Sequence, residues 1–186
     1  MKNIFFITGN KGKVKEAKEK LGPLGFSVIQ KDLGYPEVQA DSLEEVAAWG
    51  ASHVQERFDE PFILEDAGLF IESLQGFPGV YSKYVFFTIG LDGILRLLEG
   101  VENRNAVFRS VYAYKASGKK PVLLIGECKG VIAKKKLGTH GFGYDPIFLP
   151  HGAQKTFGEM IVGEKNQFSH RARALEKLIS VLHGGK

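Results

Sequence analysis

Cysteine is almost absent: the single Cys128 among 186 residues excludes an intramolecular disulfide and any cysteine-based zinc cluster, and its expected role is that of a small buried apolar residue. Apolar runs of membrane-spanning length are also missing. The opening MKNIFFITGNKGK has a lysine ahead of an apolar run too short for a signal-peptide core, and it lacks a small-residue cleavage site. These absences lead us to expect a cytoplasmic protein without membrane partners. No internal repeat, linker or low-complexity tract breaks the chain, so one domain over residues 1–186 is expected. At that length folding buries roughly 70% of the unfolded surface, enough for a real core. Charge of either sign is only mildly in excess, with a net +4 and a pI near 9.0. That balance favours polyanions. The lysines are spread along the chain, however, and the run Lys134–Lys136 reads as a solvated edge, so no specific nucleic-acid partner is expected.

What the chain does have is concentrated in a few segments. Between Phe62 and Tyr84 it reads FILEDAGLFIESLQGFPGVYSKY. Phe62–Leu64 predict a short buried strand, with Glu65 and Asp66 placed where it ends, and in open α/β sheets ligands bind at the carboxyl ends of strands. Two adjacent carboxylates are costly there unless a cation shares the site, and a divalent ion with oxygen ligands is the usual one. Gly76, Pro78 and Gly79 then shape a loop that delivers Lys83, a counter-charge for phosphate.

Upstream, the apolar run Ile4–Ile7 gives way to Thr8-Gly9-Asn10-Lys11-Gly12-Lys13, followed by Val14, Ala17 and Leu21 at helical spacing and a Gly22-Pro23 stop. A strand, a glycine-containing turn and a helix in that order turn backbone N–H groups toward an anion, with Asn10 and Lys13 adding side-chain donors. It is not a Walker A loop, because the glycine spacing is wrong and Val14 stands where a hydroxyl is needed. A second strand is expected at Phe26–Gln30, Glu37 falls in a loop, and Ser42 with Glu45 forms a capping box ahead of a helix bearing Val46, Ala47, Val54 and Phe58. Leu69–Ile71 predict a short continuation beyond the acidic pair, and Asp92 caps a helix bearing Ile94, Leu95, Leu97 and Leu98. Val107–Lys115 alternates, Ser117–Lys120 is a turn, and Pro121–Glu127 returns as the second arm of a hairpin. A βα start and an antiparallel middle together predict an α/β fold on a mixed sheet.

Near the end, His140–Pro146 sets Phe142 between glycines, a platform on which a nucleobase could stack, with Asp145 able to accept from ring N–H groups. Ser169 is placed to cap a last helix carrying Ala172, Leu175, Leu178, Ile179 and Leu182. Lys165, His170 and Arg171 crowd its N-terminus, the end where cations are unfavourable, and an anionic or carbonyl-bearing ligand would relieve them. Phosphate, metal and base all have candidates, and the chemistry they define is Mg²⁺-dependent nucleotide hydrolysis or transfer.

TGNKGK at Thr8–Lys13, EDAGL at Glu65–Leu69, FPGVYSKY at Phe77–Tyr84, GFGYDPIF at Gly141–Phe148 and EKNQFSHRARAL at Glu164–Leu175 together resemble the inosine triphosphate pyrophosphatase family, in the family's order. The resemblance implies a twisted mixed β-sheet in two lobes with a central cleft, a Mg²⁺ requirement, a homodimer, and hydrolysis of ITP, dITP and XTP to monophosphate and pyrophosphate. By position, it implies that Thr8, Gly9, Asn10, Lys11, Gly12 and Lys13 hold the triphosphate. Glu37 and Asp66 would bind the metal, and Asp66 would be the general base. Ala67 would contact substrate through its backbone, since the hydroxyl common at that position is absent, and Lys83 would neutralise phosphate. Phe142 and Gly143 would receive the purine, with Tyr144, Asp145, Lys165, Ser169, His170 and Arg171 lining its pocket. Glu65 stands where aspartate is common. The alternatives are a Maf-type nucleotide pyrophosphatase of different base specificity, against which the first and last segments argue, and a non-catalytic nucleotide- or nucleic-acid-binding protein.

Overall fold

The computed structural model describes residues 2–35 and 38–184. Its strands are β1 (Lys2–Ile7), β2 (Phe26–Lys31), β3 (Phe62–Ile71), β4 (Pro78–Gly79), β5 (Asn105–Lys115), β6 (Val122–Ile132) and β7 (Phe148–Pro150). The α-helices are α1 (Lys11–Leu21), α2 (Leu43–Gln55), α3 (Ser82–Thr88), α4 (Gly90–Leu97), α5 (Val162–Lys165) and α6 (His170–Gly184). The strands order as β2-β1-β3-β5-β6-β7, with β4 on β3. β1 runs parallel to β2 and to β3, while β4 on β3 and β7 on β6 are antiparallel, so the sheet is mixed as the pattern predicted.

The chain divides into two compact units, and it passes from one to the other within β3, β5 and β6 and at the start of α6. The first comprises residues 1–66, 110–126 and 171–186. Its core joins Ile4 and Phe6 of β1, Val14, Ala17 and Leu21 of α1, Phe26 and Val28 of β2, Ile63, Tyr112, and Ala174, Leu175 and Leu178 of α6. The apolar positions of α1 and α6 recur at helical spacing, so each helix closes one stripe over the strands. The second unit comprises residues 67–109 and 127–170, with a separate core built from Leu69, Ile71, Val85, Ile94, Leu98, Phe108, Ile132, Ile147, Phe148 and Phe157. Cys128 is buried in that core, in the apolar role expected of it.

Two expectations need correction. Glu65 and Asp66, expected at the end of a short strand, lie in the interior of the ten-residue strand β3, which runs through the continuation expected at 69–71. β1 pairs with β3 only as far as Phe6↔Ile63, and β4 takes over at Leu69↔Gly79, so the acidic pair sits where one partner ends and before the next begins. A Cβ on Gly68 would overlap the Gly79 carbonyl, so only glycine admits this close approach of β4. The second correction is α3, since Lys83, expected at the end of a glycine-shaped loop, lies in a helix over Ser82–Thr88. Its apolar residues do not fall on one face. Val85 is buried, whereas Tyr84 and Phe87 are exposed, so the periodic signal that marks a helix is missing.

Candidate active site

Glu65 and Asp66 are neighbours on a β-strand, and successive side chains on a strand point to opposite faces. The two side chains therefore point apart, and the premise that one cation must neutralise both fails on that geometry. Glu65 is buried and Asp66 is half-buried. Protein cations balance Glu65: Lys13 Nζ lies 2.6 Å from Oε2 and Arg171 Nε 3.1 Å from Oε1. Ser110 Oγ donates to Oε1 at 2.7 Å, and Lys13 Nζ also donates to the Glu65 carbonyl at 2.9 Å. Arg171 Nη1 reaches Glu16 Oε2 at 3.4 Å. Burial pushes the Glu65 carboxyl up, but Arg171, Lys13 and the hydrogen bonds from Lys13 and Ser110 outweigh it and hold the group below its ordinary value. All of these residues belong to the first unit.

The Thr8–Lys13 turn follows β1 in the same unit. Asn10 caps α1, its Oδ1 accepting from the N–H groups of Gly12 at 2.9 Å and Lys13 at 3.2 Å, while Asn10 N–H donates to Thr8 Oγ1 at 3.1 Å. Two of the helix's first N–H groups are thus already engaged, and the donors the turn offers an anion come from Lys13 and the Asn10 amide nitrogen more than from the backbone. Gln30 Nε2 donates to the Thr8 carbonyl at 2.9 Å and fixes the turn against β2. Gly9, Asn10 and Lys11 are exposed, and Thr8, Gly12 and Lys13 are half-buried. Glu37, expected as a metal ligand, lies outside the described residues. Among the described residues no three of His, Cys, Asp and Glu group as a metal site. Mg²⁺ on a nucleotide takes one or two carboxylates together with phosphate oxygens and water, and the half-buried carboxylate of Asp66 fits that donor set.

The second unit holds the other set. Lys165 Nζ lies 2.6 Å from Asp145 Oδ2, both side chains buried, and stands 4.9 Å from the Phe142 ring centroid and 5.2 Å from that of Phe157. Phe142 N–H donates to Asp145 Oδ2 at 2.8 Å. Gly141 has φ +75°, and a Cβ there would overlap that same oxygen, so the glycine before Phe142 is required twice over. Gly143 follows half-buried. Tyr144 is buried in the core with its hydroxyl donating to the Ser82 carbonyl at 2.8 Å. His170 is buried and stacks on Phe108 with centroids 4.6 Å apart. Ser169 is buried immediately before α6, Ala67 is half-buried in β3, and Lys83 is exposed on α3.

The crowding of cations at the start of α6 is therefore relieved within the protein, Arg171 by carboxylates, Lys165 by Asp145 and His170 by an aromatic face. Sequence reasoning missed Glu16 and Ser110. Glu16 follows Lys13 by three positions on α1, hence on the same helix face. Ser110 sits between Phe108 and Tyr112 on one face of β5, a lone hydroxyl in an aromatic row. Both signals were readable, and both look like ordinary solvated side chains until a buried carboxylate is known to need partners.

A family model described as the Ham1 family matches residues 4–181. The dITP/XTP pyrophosphatase of Pyrococcus horikoshii is 54% identical over 93% of this chain and 92% of its own length. That of Methanopyrus kandleri is 55% identical over 94% and 93%. Among solved structures, the Staphylococcus aureus Ham1 protein superposes with a TM-score of 0.84 at 28% identity, covering all of both chains. A HAM1 protein from Coxiella burnetii gives 0.83 at 31%, covering 99% of this chain and all of its own.

Proposed function

The chain belongs to the Ham1 family, and we propose that it hydrolyses the deaminated purine nucleoside triphosphates ITP, dITP and XTP to the monophosphate and pyrophosphate. The observation that carries this reading is the Lys165–Asp145 pair beside the Phe142 ring. A base stacked on Phe142 would find an ammonium donor next to a carboxylate acceptor. Hypoxanthine and xanthine present the complement, a 6-oxo acceptor beside the N1–H donor. Adenine presents the reverse polarity, leaving buried groups unpaired at a cost on the order of several kcal/mol. The names of the relatives from Pyrococcus and Methanopyrus agree with that preference.

In this reading Thr8–Lys13 hold the triphosphate, Lys83 adds positive charge, and Ala67 contributes backbone. Gly143, Tyr144, Ser169, His170 and Arg171 complete the base end. Asp66 and Glu37 would hold Mg²⁺, which when bound polarises phosphate oxygens and disperses their charge. The Asp66 carboxylate accepts the proton of the attacking water. The new oxygen–phosphorus bond forms at the α-phosphorus as the bond to the bridging oxygen breaks in line. Pyrophosphate leaves with its charge shared by Lys13 and Lys83. A cytoplasmic homodimer belongs to the same reading and rests on the family resemblance. No helix among the described residues is long and apolar enough to cross a membrane.

The test is product analysis with Mg²⁺ and, separately, ITP, XTP, GTP and ATP. Pyrophosphate from ITP and XTP, little from ATP, and none in EDTA is the expected result. Orthophosphate as the product, or equal use of ATP, would refute the proposal.

A further inference from the structure

We infer that Glu65 is a positioning residue and is not a metal ligand: it aims Lys13 at the phosphate-binding end of the site and separately anchors Arg171. The inference rests on the proposed function. The Glu65 carboxylate is ion-paired on both oxygens, with Lys13 at Oε2 and Arg171 at Oε1, and accepts a hydrogen bond from Ser110 at Oε1, inside a fully buried side chain. With Glu16 added, Lys13 and Arg171 are faced by two carboxylates among the described contacts, so Glu65 has protein counter-charges on both oxygens. A divalent cation ligated by Glu65 would be forced within contact distance of Lys13 and Arg171, a like-charge arrangement that burial makes worse. Asp66 escapes this because the strand turns it to the opposite face.

The consequence for Lys13 is geometric. Its ammonium has three N–H donors, and Glu65 engages two directions, with its carboxylate at 2.6 Å and its backbone carbonyl at 2.9 Å. A flexible four-carbon side chain is thereby reduced to one orientation, with a remaining donor for a phosphate oxygen. Asn10 adds to this by fixing the Lys13 backbone N–H at the helix cap. Preorganisation of this kind lowers the ordering cost of binding, and an isosteric change at Glu65 is felt through Lys13.

The test is a double-mutant cycle with Glu65→Gln and Lys13→Met, read as inorganic tripolyphosphate binding in EDTA by calorimetry. Glu65→Gln is expected to weaken tripolyphosphate roughly tenfold to a hundredfold, as loss of a charge-assisted contact does. The same change in the Lys13→Met background is expected to add almost nothing. The Mg²⁺ concentration for half-maximal ITP turnover should stay within about tenfold of wild type, since loss of a ligand or its direct support costs at least that much. Additive losses in the cycle, or a larger Mg²⁺ shift, would overturn the inference. Should Glu65→Gln fail to fold, Ser110→Ala withdraws one donor from the same carboxylate and is judged by the same cycle, with additivity or no effect counting against us. Wild-type protein that leaves ITP intact rejects the proposed function. Wild-type turnover with an additive cycle rejects the role of Glu65 alone.

Discussion

Replacing Lys165 with methionine keeps an unbranched side chain one atom shorter and removes the charge that faces Asp145. The pair is 2.6 Å apart, and the two side chains are only 2% and 3% exposed. Breaking a buried ion pair from one side typically costs about 3–5 kcal/mol, because the partner keeps its desolvation penalty without this counter-charge. For a chain of this size about 1 kcal/mol moves the melting temperature by roughly 2–4 °C, so Lys165→Met should lower it by roughly 6–20 °C. Adding Asp145→Asn should recover most of that loss, since a neutral amide needs no counter-ion and can still accept from Phe142 N–H. Differential scanning calorimetry on the two single variants and the double variant measures all three. A single variant within about 2 °C of wild type, or a double variant no better than the single, would refute the buried-pair argument. In turnover assays the same single variant should lose its preference for ITP over ATP.

Ser82→Ala removes a hydroxyl that accepts from Leu69 N–H at 2.8 Å and donates to the Gly79 carbonyl at 2.6 Å, and should cost about 1–3 kcal/mol in urea unfolding at unchanged slope. Gly141→Ala forces a side chain into φ +75° and against Asp145 Oδ2, and should cut kcat/KM for ITP about tenfold or more while far-UV circular dichroism is unchanged. Burial pushes the Tyr112 phenol well up, with Glu65 adding to the effect, and burial likewise raises Tyr144. Their unfolded forms ionise near pH 10, so stability is full below that pH and falls as pH rises above it. A phenolate absorbance titration should therefore leave these two protonated until the protein unfolds, and reversible ionisation of all six tyrosines near pH 10 in the native state would contradict it.

The first strand and helix were legible because Ile4–Ile7 is an uninterrupted apolar run and Val14, Ala17 and Leu21 keep helical spacing, and both signals survive folding unchanged. The hairpin β5–β6 was legible for the same reason, with Gly118 at φ +69° supplying its turn. The acidic pair points to a strand end at Glu65 because charged residues look like a strand's end. Here the charges sit mid-strand and are satisfied by residues distant in sequence, Lys13, Ser110 and Arg171. Such long-range partners leave no local trace. The chemistry at Phe142 and Asp145 was visible in the glycine spacing, whereas the pairing of Asp145 with Lys165 depends on tertiary structure. Sequence marks which groups are unusual, and the fold decides what neutralises them.

The central claim is hydrolysis by attack at the α-phosphorus, and the most direct measurement is ITP turnover in water enriched in heavy oxygen, with mass analysis of both products. The account predicts the label in inosine monophosphate and none in pyrophosphate. Label in pyrophosphate would place the attack on the β-phosphorus and contradict the mechanism.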